Sequence, residues 1–286
     1  METTTPTPTK PSPRDYDDYR AYLSELIQFL RTSKRGFSFR RFSKRAGYQS
    51  PNFLKLVIDG QRNLSDDSIA KFAGAFEMGP RETRDFSHLV RFNQARNDEE
   101  KNREFRQLLQ HRRGVAAELQ KAQYEIYSEW YVLVVRELAT LPFFKESGQW
   151  IAKRLQPMIS AREANRALKL LQQVGLLVRD ASGTLRAATS KLKTGAEVPL
   201  GVRNFHRAML GHAADSLDSI DKSERHVSSL TQALTKAQYE QLTAKLDTFR
   251  EELLDLLEAP TEQVDTDDKE IYFVGFEVIP MTQKKE

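Results

Sequence analysis

The sequence predicts a mostly helical α+β fold, with short helices throughout and strands confined to the second half of the chain. Three observations predict it. Apolar residues recur at three- and four-residue spacing, which is the period of an amphipathic helix. Candidate N-caps such as Ser38 and Ser65 precede these stretches, and Gly47 and Gly60 follow them. Short apolar runs flanked by turn residues, which are typical of strands, occur only after position 175.

Composition excludes several classes of protein. The chain has 286 residues, of which 39% are hydrophobic and 29% charged, so we expect two domains with charged surfaces. No apolar run reaches the ~18 residues of a membrane span, and the N-terminus has no basic start followed by an apolar stretch, so no secretory signal is expected. The absence of cysteine excludes disulfides and thiolate chemistry. A cytoplasmic location follows as an expectation.

The N-terminal segments are predicted in order from these signals. Residues 1–14 are rich in Thr and Pro and are expected to be a disordered tail. A first helix covers 16–32. A second begins after Ser38 and ends at Gly47, and a third covers 50–59, with Ser50 as its cap and Pro51 at its first position. Two more helices, after Ser65 and after Gly79-Pro80, complete a five-helix domain at 15–96.

The second and third helices are joined by a tight turn, Gly47-Tyr48-Gln49, which is the arrangement of a helix-turn-helix. In that motif the second helix of the pair, here 50–59, enters the major groove of DNA. We therefore predict that the residues at its start read base edges: Gln49, Ser50, Pro51, Asn52 and Lys55. Flanking residues suit contacts to DNA phosphates: Arg40, Arg41, Lys44, Arg62 and Asn63.

The charge distribution favours the same interpretation. Positions 31–62 hold nine basic residues and a single acid, Asp59, whereas the whole chain holds 44 basic and 40 acidic residues. The rest of the chain is therefore net acidic. A local basic window indicates a polyanionic partner, although a solvated helix face is the alternative.

These residues also carry a resemblance. The stretch FRRFSKRAGYQSPNFLKLVIDGQRNLSDDSIAKFAGAFEM resembles the phage-repressor, Cro-type helix-turn-helix. The segments SPNFLKLVIDGQRNLS, LLQQVGLLVRDASGTL and YFVGFEVIPMT resemble an uncharacterised bacterial family. That family joins such a helix-turn-helix to a C-terminal domain of unknown function, and its members are regarded as transcription regulators. The resemblance implies double-stranded DNA as partner, and Cro-type modules commonly pair as homodimers.

Downstream of the first domain, 97–121 is expected to be a charged linker helix. Residues 122–198 contain two short helices followed by a hairpin with a turn at 180–183, which is a winged-helix pattern. Such a segment either reads DNA with its second helix or serves as a packing or dimer element. The candidate residues for a second DNA contact are Arg162, Asn165, Arg166 and Lys169.

The last segment, 199–286, is predicted to be a small α/β domain with a regulatory or dimerisation role. It combines helices at 202–217 and 237–257 with strands at 225–234 and 272–279. Such a domain could bind an unidentified ligand or a protein partner, and the sequence leaves both open.

No catalytic pattern is found in the sequence. The five histidines do not form an i, i+4 pair with a third ligand, so no metal site is predicted: His88, His111, His206, His212 and His226. There is no phosphate-binding glycine motif and no nucleophile–base pair, so we expect neither a cofactor nor an enzyme. The leading hypothesis is a sequence-specific transcription regulator. The alternative is an adaptor that uses the same scaffold to dock a protein partner.

Overall fold

A computed structural model describes residues 9–33, 37–188, 199–258 and 269–283, and it divides the chain into two units, 1–121 and 122–286. Within these ranges the protein is mostly helical, with twelve α-helices and one two-stranded sheet. No helix in the described ranges is long and apolar enough to span a membrane. Residues 1–8 of the predicted tail and two members of the basic window, Lys34 and Arg35, lie outside the described residues.

The first unit is built from short helices whose caps follow the sequence. After a 3-10 turn at Pro13–Asp15 come α1 (Tyr19–Ser33), α2 (Phe39–Arg45), α3 (Phe53–Ile58), α4 (Asp66–Ala75), α5 (Pro80–Gln94) and α6 (Asp98–His111). The next helix, α7 (Val115–Ser128), begins in the first unit and ends in the second. Ser38 accepts a hydrogen bond from the Arg41 amide and Ser65 one from the Ser68 amide, each at 3.2 Å. Both predicted caps are thus confirmed.

Helix α3 is shorter than the predicted helix at 50–59. Pro51 and Asn52 form a turn before the helix, and the Ser50 hydroxyl accepts from the nearby Asn52 amide at 3.3 Å. The predicted N-cap role of Ser50 is therefore wrong, because the residue that precedes α3 is Asn52 and no side chain caps the helix. The expected base-reading residues therefore lie mainly in the turn, and only Lys55 lies within α3.

The expected linker helix is part of the packed first unit. Its counterpart, α6, buries Phe105, Leu108 and Leu109 and packs on α5. Two histidine–carboxylate pairs join these helices, with His88 Nδ1 2.7 Å from Glu104 and His111 Nδ1 2.9 Å from Asp85. The sequence shows that α6 has an apolar face, and in the structure this face is buried against α5.

The second unit has its core where α8 (Trp130–Leu138), α9 (Gly148–Arg154) and α10 (Ala161–Gln173) meet a hairpin. Strands β1 (Leu177–Arg179) and β2 (Leu185–Ala187) pair antiparallel, with Val178 opposite Arg186. The turn between them contains Gly183 at φ +82°, a conformation that glycine adopts without steric cost. Two long helices follow, α11 (Pro199–Ser219) and α12 (Lys236–Glu258).

The two strands predicted within the segment 199–286 are not formed in the described residues. The stretches 225–234 and 272–279, expected as strands, are irregular and have no ladder partner in the ranges the structure describes. Their apolar side chains are largely in solvent, and Leu230 is 87% exposed. A strand is stabilised by its neighbour, so an apolar run without one does not form a sheet.

Candidate nucleic-acid interface

An aromatic cluster fixes the relative positions of α2, α3 and α4. Phe42 of α2 packs edge-on against Phe72 of α4 and tilted against Phe76, the residue that follows α4, with ring centroids 5.0 and 4.6 Å apart. Tyr48 in the turn stacks on Phe53 at 4.2 Å, and Phe53 in turn meets Phe72 at 6.0 Å. Aromatic pairs at these separations add specific geometry to the burial of apolar area, so the turn has one defined position.

The turn between α2 and α3 depends on glycine. Gly47 has φ +74°, and the amide of Tyr48 reaches back to the Ser43 carbonyl at 2.8 Å. The left-handed conformation costs most residues about 1–2 kcal/mol, and glycine avoids that cost. The chain can therefore reverse within a few residues and present the side chains that follow to solvent.

All five predicted base-reading residues are exposed on this turn and on α3, as the prediction requires: Gln49, Ser50, Pro51, Asn52 and Lys55. One of them is already engaged. The ammonium of Lys55 lies 2.5 Å from Asp59, one helical turn further on. The only acid of the basic window thus neutralises one of its cations, a contact that the i, i+4 spacing of the two residues already suggests.

Four of the five predicted phosphate contacts are exposed cations: Arg40, Arg41, Lys44 and Arg62. In the described part of the chain, none of these four side chains takes part in an ion pair or a side-chain hydrogen bond. A neighbouring cation, Arg45, does pair with Glu77 at 2.7 Å. The unpaired cations are available to a polyanion without first losing an internal partner.

Asn63, the fifth predicted phosphate contact, has an internal role. Its side-chain oxygen accepts a hydrogen bond from Arg20 at 2.8 Å, and the same guanidinium donates to the Val57 carbonyl at 3.0 Å. Arg20 lies on α1 and ties that helix to the end of α3. Sequence reasoning missed Arg20 because its partners are 37 and 43 positions away and no local pattern links them.

The second candidate face, on α10, is less suited to a polyanion. Arg162, Asn165, Arg166 and Lys169 are all exposed. However, Arg166 lies 3.6 Å from Glu125, and the side chain of Asn165 packs against Gly148. In the hairpin, Arg179 makes a bidentate pair with Glu146 and Arg186 faces Asp180. Acids thus accompany most cations of this face.

Local hydrogen bonds stabilise the ionised form of two acids on this surface, Glu163 and Asp180. The hydroxyl and amide of Ser160 both donate to Glu163 in a capping box, and these bonds lower the pKa of Glu163. In the hairpin turn, donation from the Ser182 hydroxyl lowers the pKa of Asp180. Negative charge therefore stays on this surface, whereas the surface around α2 and α3 is dominated by cations.

Nothing in the described ranges points to a metal centre, because no three His, Asp or Glu side chains there come close enough to bind an ion. A family model described as a domain of unknown function (DUF4423) matches residues 110–281. The sequence resemblance to a family with such a C-terminal domain is confirmed to that extent, and the match does not reach α1–α5. No curated protein and no solved structure matches the chain.

Proposed function

The chain belongs to the DUF4423 family, whose description states no function, and we propose from its own geometry that it is a sequence-specific transcription regulator that binds double-stranded DNA. In this proposal α2, the turn and α3 act as a helix-turn-helix within the cytoplasm of a bacterial cell. The hairpin with α9 and α10 is interpreted as a winged-helix element that contributes at most a weaker contact.

The observation that carries the proposal is the exposed surface of α2, the turn and α3. It brings together unpaired cations, Arg40, Arg41 and Lys44, with exposed amides, Gln49 and Asn52. Cations hold the phosphates at any sequence, and amide side chains can make bidentate hydrogen bonds to adenine. The aromatic cluster beneath the turn holds this surface in place, so little ordering is required on binding.

Asn52 and Arg62 are proposed to have different roles, and this difference gives the decisive test. Fragments of genomic DNA are captured with the full-length protein at near-physiological salt, and binding to an enriched site and to random DNA is then measured. Asn52→Ala should cost about 1–3 kcal/mol on the enriched site alone. Arg62→Ala should weaken both kinds of DNA and reduce the slope of log affinity against log salt by about one.

A matched charge reversal controls for net charge. Arg40→Glu/Arg41→Glu should abolish retardation of DNA at low salt. Arg84→Glu/Arg106→Glu makes the same change at exposed positions on α5 and α6 and should leave binding within a few-fold of wild type. If both double variants lose binding equally, the effect is one of overall charge and α2 is not the interface.

An adaptor function is the second candidate, because many large apolar side chains of the second unit are exposed, among them Leu256 at 70% and Ile279 at 70%. Such side chains commonly mark a protein interface. The same charge reversal separates the two functions: an adaptor would keep its partner in the Arg40→Glu/Arg41→Glu variant. A folded wild-type protein that captures no DNA fragment would favour the adaptor over the regulator.

A further inference from the structure

Helix α12 is long, amphipathic and incompletely covered. It has 23 residues, and none of its described side chains is buried. Within the described residues, its one aromatic contact joins Phe249 to Phe276 at 5.8 Å. A helix whose apolar face is not packed is only marginally stable in water, so α12 requires a partner surface.

The apolar residues of α12 repeat with the spacing of a coiled coil. Their positions alternate steps of three and four residues and form one stripe, here called the α12 seam: Tyr239, Leu242, Leu246, Phe249, Leu253 and Leu256. These are successive a and d positions of a heptad repeat, which allows side chains of two helices to interlock. On the seam, Tyr239, Phe249 and Leu256 remain 44%, 45% and 70% exposed.

The α12 seam of one copy is complementary to the α12 seam of a second copy when the two helices run antiparallel. When two copies are aligned antiparallel about a point between Asp247 and Thr248, each a position falls opposite a d position of the other copy. Leu246 then meets Phe249, Leu242 meets Leu253 and Tyr239 meets Leu256. One two-fold axis therefore pairs the whole seam, as an isologous interface requires.

Charges beside the seam select this direction. Lys245 and Glu252 occupy equivalent flanking positions, and in the antiparallel arrangement Lys245 of one copy faces Glu252 of the other, twice by symmetry. In a parallel pair Lys245 would instead face Arg250, which is repulsive. Among the described residues neither Lys245 nor Glu252 is in an ion pair, so both are available.

We propose that α12 is the dimer interface of this protein and that its occupant is α12 of a second copy, packed antiparallel along the seam. The interface does not depend on DNA binding. Dimerisation and DNA binding can therefore fail separately, and each is measured without the other.

The first test is the mass of the full-length protein in solution by sedimentation velocity. Wild type should have twice the mass of the chain. Leu246→Lys, on the seam, should halve that mass, whereas Leu254→Lys, an equally drastic change at an exposed position off the seam, should leave it unchanged. A monomeric wild type, or a Leu246→Lys variant that remains dimeric, would overturn the proposal.

Charge variants test the interface even if Leu246→Lys fails to fold, because they leave the apolar stripe intact. Lys245→Glu should raise the dimer dissociation constant roughly tenfold at low salt, since two like-charge contacts replace two attractive ones. Adding Glu252→Lys should restore the wild-type constant. Tighter association of Lys245→Glu alone would indicate a parallel pair and contradict the proposal.

Cysteine cross-linking tests the direction independently, because the chain has no cysteine of its own. In the antiparallel arrangement the two copies of residue 242 are about 16 Å apart along the axis, given eleven residues at about 1.5 Å each. Leu242→Cys alone should therefore not cross-link, whereas a mixture of Leu242→Cys and Leu253→Cys should. Efficient cross-linking of Leu242→Cys by itself would exclude this arrangement.

Discussion

Single side chains decide how much positive charge the α2–α3 surface presents. The ion pair of Lys55 with Asp59 is an exposed i, i+4 pair, and such pairs contribute only about 0.3–0.5 kcal/mol to stability. Its larger effect is electrostatic, because it places a carboxylate beside the cation expected to approach DNA. The i, i+4 spacing of the two residues is a sequence signal that could have predicted this pair, since both lie on one helix face.

Asp59→Asn should therefore strengthen DNA binding at little cost in stability. Two unit charges about 4 Å apart in water interact by about 1 kcal/mol, so removing the Asp59 carboxylate should raise affinity by up to about fivefold at low salt. The gain should shrink as salt is raised. Asp247→Asn on α12 is the control with the same net-charge change. Equal gains in both variants would show that Asp59 has no specific position at the interface.

Arg20 is a second single side chain with a large expected effect, in this case on the thermal stability of the protein. Arg20→Ala removes its hydrogen bonds to the Val57 carbonyl and to Asn63, which link α1 to the end of α3. Hydrogen bonds to a charged donor contribute about 1.5–3 kcal/mol, so thermal unfolding should shift down by several degrees. Arg84→Ala on α5 is a comparison at an exposed site. An unchanged melting temperature for Arg20→Ala would refute this role.

Among the elements, those with a local signal were predictable. The Ser38 and Ser65 caps, the glycine turn at Gly47 and the hairpin around Gly183 each depend on neighbouring residues, and all four are present. The stretches 225–234 and 272–279 were not predictable, because an apolar run becomes a strand only if a neighbouring strand pairs with it. The contact that Arg20 of α1 makes with the end of α3 was also not predictable, since the two helices are far apart in the sequence.

The packing of α9 against α10 leads to a prediction about Gly148. A Cβ at this position would lie 2.5 Å from Asn165 Oδ1 and 2.7 Å from the Ala161 carbonyl. Gly148→Ala should lower the free energy of unfolding by about 1–3 kcal/mol, the usual cost of overpacking. Adding Asn165→Ala should recover only part of the loss, because the Ala161 contact is with backbone. Gly211→Ala on α11, where a Cβ meets nothing, is the control for denaturant unfolding.

At the scale of the whole molecule, the partly buried Tyr16 and the buried Tyr131 make stability depend on alkaline pH. Burial, aided by Glu25, raises the pKa of Tyr16 to about 12, and burial, aided by Glu129, raises that of Tyr131 to about 12. In the unfolded chain these phenols ionise near 10. Below that pH both states keep the proton. Above it only the folded state does, so stability falls as pH rises through this window.

Tyr131→Phe should therefore flatten the decline of melting temperature between about pH 10 and 12. Tyr272→Phe, at a side chain that is 74% exposed, should decline as wild type does. Thermal unfolding followed by circular dichroism across this range makes the comparison. Identical slopes for wild type and Tyr131→Phe would contradict the pKa difference between the folded and unfolded states.

The two tryptophans place all of the tryptophan fluorescence in one of the two units. Trp130 lies in α8, with its ring 4.4 Å from His212, and Trp150 lies in α9 between Phe143 and Phe144. Both belong to the second unit, and residues 1–121 contain no tryptophan. Tryptophan fluorescence, excited at the red edge of the aromatic absorption band, therefore reports the unfolding of the second unit alone. Helical ellipticity in circular dichroism reports the unfolding of both units. Recorded together during one melt, the two signals separate the unfolding of the first unit, which carries the α2–α3 surface, from that of the second without any added label.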